Sequence, residues 1–433
     1  MKLLKLLIRY FPPVVFEVIC FVGICLVYNQ GGLIKEKMLD LFQLTTKTHI
    51  PSLADELMCN EKLLTPGVKP YLISTLCKMQ DKLKADSKHN FVKYNTIEHI
   101  LPITNVAFNK EGTKCLTGSF DRSCKIWDVG KGVLSNSLEG HNGVVFDVMF
   151  NYPFDDRVLT ASFDKTACIW DSESGERLAS FIGHTEEVVI VRYEPTKRHI
   201  ATGSMDHTGR IFDLHTGVEL WVLEGHNDSL ITIEFSTDGK HLITGSFDGN
   251  VILWDTRTHS KVGVLNHHKD SISKCTFNFE SDLIATSSMD CTAKLWDRRN
   301  LSCNFTLHHE DEVLDITFDP TGKRVATALA NGLVKVWDSR RNSKLLLCLN
   351  GHKAEVSKVS FSPGGGLILT GSSDGTARIW NASSGQCRQV LKGHTDEVFS
   401  CLFSYSGETV VTASKDKTCF IWKKNSDVSD DED

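Results

Sequence analysis

The chain has 433 residues, a mass of 48.4 kDa and a formal net charge of −6, with 41% hydrophobic and 24% charged residues. This composition excludes wholesale disorder. The mildly acidic balance argues against a sequence-independent DNA or RNA binder, which needs a basic surface to displace counterions. Five of the negative charges sit in the last seven residues (Asp427, Asp430, Asp431, Glu432, Asp433), a solvated acidic tail over 425–433.

Behind Lys2, Lys5 and Arg9 lies the apolar run VVFEVICFVGICLVY (14–28). A membrane-spanning helix needs about 20 apolar residues, whereas this run has 15 and includes Glu17. The positive start and apolar middle suit a signal peptide, but Asn29-Gln30-Gly31-Gly32 is a poor cleavage site. The run is read as a buried segment or an insertion near 14–30, and a membrane role is not expected. Helices are predicted over 52–62 and 65–86. Ser52 with Asp55 resembles a capping box, and Thr65-Pro66 places proline in a first turn. Val68, Leu72, Leu76, Met79 and Leu83 form one apolar stripe at helical spacing. Residues 1–90 are thus expected to form a small helical domain.

From residue 91 the sequence copies itself. Trp127, Trp170, Phe212, Trp254, Trp296, Trp337, Trp380 and Trp422 follow one another at intervals of 41 to 43 residues. Each is preceded by a histidine: His99, His141, His184, His226, His268, His309, His352 and His394. Six residues before each aromatic stands Asp121, Asp164, Asp206, Asp248, Asp290, Asn331, Asp374 or Asp416. Two residues earlier come Ser119, Ser162, Ser204, Ser246, Ser288, Leu329, Ser372 and Ser414. Between these marks the pattern has period two, which indicates strands half-buried on each face, and turns such as Thr237-Asp238-Gly239 separate them. Four short strands per repeat of this length make a propeller blade. The fold class is therefore all-β, an eight-bladed propeller over 91–424 with a small helical N-terminal domain. The last copy ends just after Trp422, so FVKYNTI (91–97) is expected to supply the missing fourth strand.

Recurring Ser, His and Asp suggest a hydrolytic triad, but a triad is needed once rather than in every copy, and no G-x-S-x-G elbow accompanies it. The expected role is structural: Asp accepts from His, His bonds Ser, and the indole N–H is satisfied in turn. Ser119, His99, Asp121 and Trp127, then Ser162, His141, Asp164 and Trp170, then Ser246, His226, Asp248 and Trp254 are such tetrads. Copy 3 lacks the indole because of Phe212, and copy 6 lacks Ser and Asp. The 14 cysteines show no C-x-x-C pair and no metal-ligand spacing, so buried thiols, no metal and no cofactor are expected.

The residues just before each turn Asp should project from one face. They are Phe120, Phe163, Met205, Phe247 and Met289, then Ala330, Ser373 and Lys415. The first five form an apolar arc suited to a partner. Three residues after the histidines, acids cluster as Glu312, Glu355 and Glu397 on blades 6 to 8, with Glu187 assigned to blade 2. One face would then be apolar on one side and acidic on the other, fitting a partner with an apolar anchor and a basic flank.

The repeat pattern resembles the WD-repeat family over about three quarters of the chain. The opening MKLLKLLIRYFPP, the segment LIKEKMLDL (33–41), HILPITNVAFNK (99–110) and the turn series GSFD, ASFD, GSMD, GSFD, SSMD, ALAN, GSSD, ASKD resemble the dynein assembly factors with WD repeats. That resemblance implies a non-enzymatic cytoplasmic adaptor, found also at cilium, flagellum and basal body. It would link axonemal outer-arm dynein to intraflagellar transport subunits, with no nucleic acid and no small-molecule substrate. The apolar run near 14–30 and the acidic tail depart from the family's pattern. The alternative is another WD-repeat scaffold, such as a substrate receptor of a ubiquitin ligase docked through 50–88. An enzyme is disfavoured, since no single-copy nucleophile or phosphate loop is present.

Overall fold

The computed structural model describes residues 14–20, 23–30, 33–40, 48–61, 64, 67, 69–86, 90–152, 154–195, 198–340 and 344–425. The acidic tail beyond Asn425, Thr65-Pro66 and Val68 lie outside them, as do the side chains of Met79 and Leu83. The chain divides into two compact units, 1–89 with 426–433 and 90–425.

In the smaller unit the apolar run is extended. Strands β1 (Val14–Cys20), β2 (Gly23–Gln30) and β3 (Leu33–Asp40) form an antiparallel sheet in that order, consistent with the β-branched residues of VVFEVIC. Two helices follow, α1 (Ile50–Asn60) and α2 (Lys69–Asp86). Helix α1 starts before the expected capping box. His49 is its N-cap and Pro51 occupies the first turn, so Ser52 lies inside the helix and its hydroxyl bonds His49 Nδ1 at 2.8 Å. Leu53, Ala54, Leu72 and Leu76 are buried, which accounts for the described part of the stripe. Among the described residues no helix is long and apolar enough to cross a membrane.

The larger unit is an eight-bladed propeller. Blades 1 to 7 span 103–138, 145–181, 188–223, 230–265, 272–308, 313–349 and 356–391, each a four-stranded antiparallel meander. Blade 8 joins three strands from 398–424 to β4 (Phe91–Glu98), which pairs antiparallel with Thr418–Lys424. The propeller's first and last strands therefore meet in one sheet, and the third strand of blade 8 is not left as an open edge.

Only the outer strands are mainly exposed, as in Val133–Leu138, where Leu138 alone is buried. The second strands, such as His241–Ser246, are buried on both faces, which departs from the half-buried expectation. The reason is that every sheet is sandwiched between two others. Eight apolar clusters among the described residues each join two successive blades. Leu116, Ile126 and Leu138 of blade 1 meet Val148, Phe150 and Trp170 of blade 2. The last cluster joins Ile97, Val411 and Ile421 of blade 8 to Ile103 and Val106 of blade 1.

Removing β4 would expose the third strand of blade 8 and strip the buried Phe91 and Ile97 from their clusters. At about 1.5–3 kcal/mol for each large apolar side chain, a chain beginning at His99 should lose about 3–6 kcal/mol or more. Urea unfolding would read this loss, and size-exclusion chromatography should show association through the opened edge.

Candidate functional site

The repeated polar residues are brought together in each blade, but not in the expected combination. His99 Nδ1 lies 2.8 Å from Asp121 Oδ2, while Nε2 lies 2.7 Å from Thr117 Oγ1, not from Ser119. The indole Nε1 of Trp127 donates to the same threonine oxygen at 2.9 Å. Blade 2 repeats this with His141, Asp164, Thr160 and Trp170, and blade 4 with His226, Asp248, Thr244 and Trp254. The serines Ser119, Ser162 and Ser246 are therefore corrected out of the relay. Each accepts the N–H of its turn Asp, and Ser119 and Ser246 donate to a backbone carbonyl beside the histidine loop. Side chains alternate along a strand, so Thr and Ser two residues apart share a face, and the deeper one reaches the imidazole.

A neutral imidazole fits this chain of bonds: Nδ1–H donates to Asp, Nε2 accepts the threonine hydroxyl, and that oxygen accepts the indole N–H. Burial pulls His99, His268, His352 and His394 below the ordinary histidine value, opposed by their aspartates. Burial alone would raise Asp290 and Asp374. The hydrogen bonds from Thr292 and Thr376, from the backbone N–H of Lys269 and Lys353, and from the histidines outweigh it, holding both near about 2.

Blade 6 departs from the rest. With Asn331 in place of Asp, His309 Nδ1 turns to the carbonyl of Leu307 at 3.0 Å, and the bond from Trp337 to Thr327 lengthens to 3.3 Å. Burial, aided by the Lys335 cation, takes His309 down to about 4. In blade 3, where Phe212 has no indole N–H to offer, Thr202 Oγ1 keeps its 2.8 Å contact with His184 Nε2, and buried Phe212 packs on Phe181 at 5.1 Å.

The turn tips and the loops after the histidines lie side by side. The N–H groups of Phe120, Phe163, Met205, Phe247, Met289, Ala330, Ser373 and Lys415 donate to the carbonyls of Pro102, Val144, Glu187, Ser229, Ser271, Glu312, Glu355 and Glu397 in turn. Glu187 therefore belongs to blade 3, not blade 2, because its carbonyl serves Met205. The apolar arc is uneven. Phe120 and Phe247 are 39% and 40% exposed, but Phe163 and Met205 fold partly onto the cluster between blades 3 and 4. Phe163 also stacks on Phe146 at 5.3 Å, and Phe146, which the repeat pattern did not single out, is itself 40% exposed. Ile100 and Leu101, 76% and 42% exposed, follow His99 on the loop that ends at Pro102. On the acidic side Glu312 is exposed, Glu355 accepts Ser373 Oγ at 2.9 Å, and Glu397 pairs with Lys415 at 3.4 Å.

A second polar feature lines the innermost strands. In blades 2 to 7 the charged residues alternate in sign: Asp147, Arg192, Glu234, Lys274, Asp315 and Lys358. Arg192 donates to Asp147 at 2.6 Å and Lys274 to Asp315 at 2.8 Å. The polar side chains of blades 8 and 1 continue the belt, with Ser400 donating to Asn105 at 3.1 Å and Asn105 to Asp147 at 2.7 Å. Burial raises Glu234 against the pull of Lys274 and Arg192. These strands surround a cavity of about 240 Å³. No signal within a single repeat marks this belt; it emerges when the first strands are aligned across blades.

Two measurements test the relay. Thr244→Val leaves the His226 and Trp254 nitrogens without their shared partner and should cost about 3 kcal/mol. Thr327→Val in the loosened blade 6 should cost only about 1–2 kcal/mol by urea unfolding. Stability should also fall in two stages on acidification. His309, about 4 in the fold against about 6.5 unfolded, contributes stability above the higher value that is lost as pH falls through the lower. Asp290 and Asp374, about 2 in the fold against about 3.9 unfolded, lose theirs between those values. His309→Gln should shrink the first stage, to which His99, His268, His352 and His394 also contribute, and leave the second.

Comparison with known proteins agrees with this geometry. Residues 92–128, 132–171 and 175–213 match the WD domain, G-beta repeat, and residues 205–428 match the IFT122 first beta-propeller. Relatives named dynein assembly factor with WD repeat domains 1 are 45% identical over 159 residues in Mus musculus and 46% over 159 residues in Homo sapiens. The match covers 36% of this chain and spans 36% of the length of those relatives. The crystal structure of the computationally designed Ika8 protein is similar in fold, with a TM-score of 0.69 and 26% identity, covering 76% of this chain and 99% of that one. With repeat matches from residue 92 and a propeller match over more than half its length, the chain belongs to the WD-repeat β-propellers, in the family of the IFT122 first beta-propeller.

Proposed function

We propose that this protein is a non-enzymatic adaptor in dynein assembly. It links axonemal outer-arm dynein to the intraflagellar transport machinery in the cytoplasm and at the base of cilia or flagella. The observation that carries the reading is the exposed aromatic group on the turn face, Phe120, Phe146 and Phe247, on a scaffold whose repeated polar residues are consumed in holding blades together. Large aromatic side chains held on stiff turns (Phe120, Phe247) and at the start of an adjoining strand (Phe146) suit a protein partner better than a small substrate. The names of the relatives supply the kind of partner, and the family match to a propeller of IFT122 is in keeping with it. Glu312, Glu355 and Glu397 add an acidic side to the same face, partly offset by Lys415, and suit a basic flank on the partner.

The structure also selects which aromatics to change. Phe163 packs against its neighbours, so Phe163→Asp would disturb folding, whereas Phe120 and Phe247 project from the turns. The tagged full chain should recover outer-arm dynein chains and transport subunits from ciliated-cell cytoplasm, read by mass spectrometry. Phe120→Ser with Phe247→Ser should keep the wild-type melting temperature within about 2 °C, since surface changes cost about 0.5 kcal/mol or less. The same pair should reduce recovery of those subunits at least about tenfold. Recovery of ligase components in their place would overturn the adaptor reading and favour a substrate receptor.

A further inference from the structure

The belt around the central cavity is balanced in number but not in position. Five of its six charged residues line the cavity: the cations Arg192, Lys274 and Lys358, and the carboxylates Asp147 and Glu234. The sixth, Asp315, is 2% exposed and is not part of the lining. The cavity wall thus carries three cations against two acids.

The acids that remain are largely used up. Asp147 accepts from Asn105, Arg192 and the backbone N–H groups of Val148 and Val191. Glu234 accepts from Thr276 at 2.9 Å and from the N–H of Phe277. Lys358 differs from the other two cations. Arg192 and Lys274 each have a carboxylate at hydrogen-bond distance, whereas among the described residues the Lys358 ammonium has no hydrogen-bonded acceptor and no ion pair within 4.0 Å. An ammonium has three donors to satisfy, and Lys358, half-buried on the cavity wall, has no protein acceptor for them among the described residues. Attraction to Asp315 is outweighed by repulsion from Lys274, by burial and by Arg192, so Lys358 is held below its ordinary value.

We propose that the central cavity is a binding site for a compact oxyanion of the phosphate type, with Lys358 as its principal donor and Arg192 and Lys274 as flanking charges. A group of that class supplies several acceptor oxygens to an ammonium that has none, and negative charge where cations crowd. The 240 Å³ volume has room for such an ion with some of its water. The oxyanion has two possible sources, a free ion or a phosphorylated side chain carried in by a partner. Phe146 of the aromatic group also lines this cavity, but Phe120 and Phe247, on which the adaptor reading is tested, do not, so failure of oxyanion binding would leave that reading untouched.

The test uses the full chain and two probes at matched ionic strength, inorganic phosphate and a short phosphoserine peptide. Binding is followed by ³¹P line broadening and by thermal shift against chloride. Wild type should bind at least one probe saturably. Lys358→Met should weaken binding about tenfold or more, the worth of one charge-assisted hydrogen bond. Lys358→Arg should retain most of it, and Lys353→Met, on an exposed loop of the same blade, should leave it unchanged. Binding of phosphate supports a free ion, and binding of the peptide alone supports a side chain brought by a partner. If wild type binds neither probe, or if Lys358→Met binds as well as wild type, the proposal is wrong. Because wild type alone gives the first of these readings, misfolding of Lys358→Met would not shield the idea.

Discussion

A small sheet that is apolar on both faces can be buried only by placing another sheet on each side. That constraint governs this propeller. The second strands, such as Leu367–Ser372 and Thr409–Ser414, have no solvent face at all. A finite stack of such sheets leaves two bare faces, and a ring leaves none. The ring must then be latched, and the latch is β4, drawn from ahead of the first repeat into the blade that contains the last. Covalent continuity between blades 7 and 8 and strand pairing between the propeller's two ends thus meet in one sheet. Opening the ring has to break a whole ladder of backbone hydrogen bonds together with the cluster around Ile97.

Burial on both faces creates a second demand, since polar side chains on those strands must be satisfied from within. The relay from indole to threonine, histidine and aspartate meets it. It runs from the third strand through the second to the loop that enters the first, crossing strands through side chains as well as backbone. The relay also anchors the turn that bears the tip residues. Five of those turns place a non-glycine residue in the left-handed region: Arg122, Lys165, His207, Cys291 and Lys417, with φ between 60° and 73°. Such backbone costs about 1–2 kcal/mol per residue and is held here by the carboxylate that gathers the turn's N–H groups. Blades 4, 6 and 7 use Gly249, Gly332 and Gly375 at this point, and of these only blade 6 has lost the carboxylate.

The repeats were legible because one blade's needs recur unchanged in every blade. The features that the sequence hides are hidden for physical reasons. Threonine stands at 117, 160, 202, 244, 286, 327, 370 and 412, the most regular of the polar positions. Being a common strand residue, it looked like filler beside the serine two places on. The charge belt was hidden for the opposite reason. Asp147 and Lys274 occupy one register and Arg192 and Glu234 another, so each looked like a lone substitution until adjacent blades were set side by side. Nor could sequence separate Phe163 from Phe120. The two occupy the same turn position, and only the packing of Phe146 and of blades 3 and 4 distinguishes a half-buried ring from an exposed one.

Whatever the propeller needs in order to stand is repeated, and whatever it offers to another molecule is not. The relay appears with full strength in most blades and so carries no information about a partner. Phe120 and Phe247 stand in register with Ala330, Ser373 and Lys415, and Lys358 stands in register with Ser400 and Ile190. At such positions the scaffold tolerates an apolar ring, a hydroxyl or a charge almost equally, because the backbone bonds of the turn or strand are the same in each case. A residue that the fold does not require is free to be chosen by what binds there. In a ring of near-identical blades, the break in symmetry is therefore the part of the surface most worth reading as function.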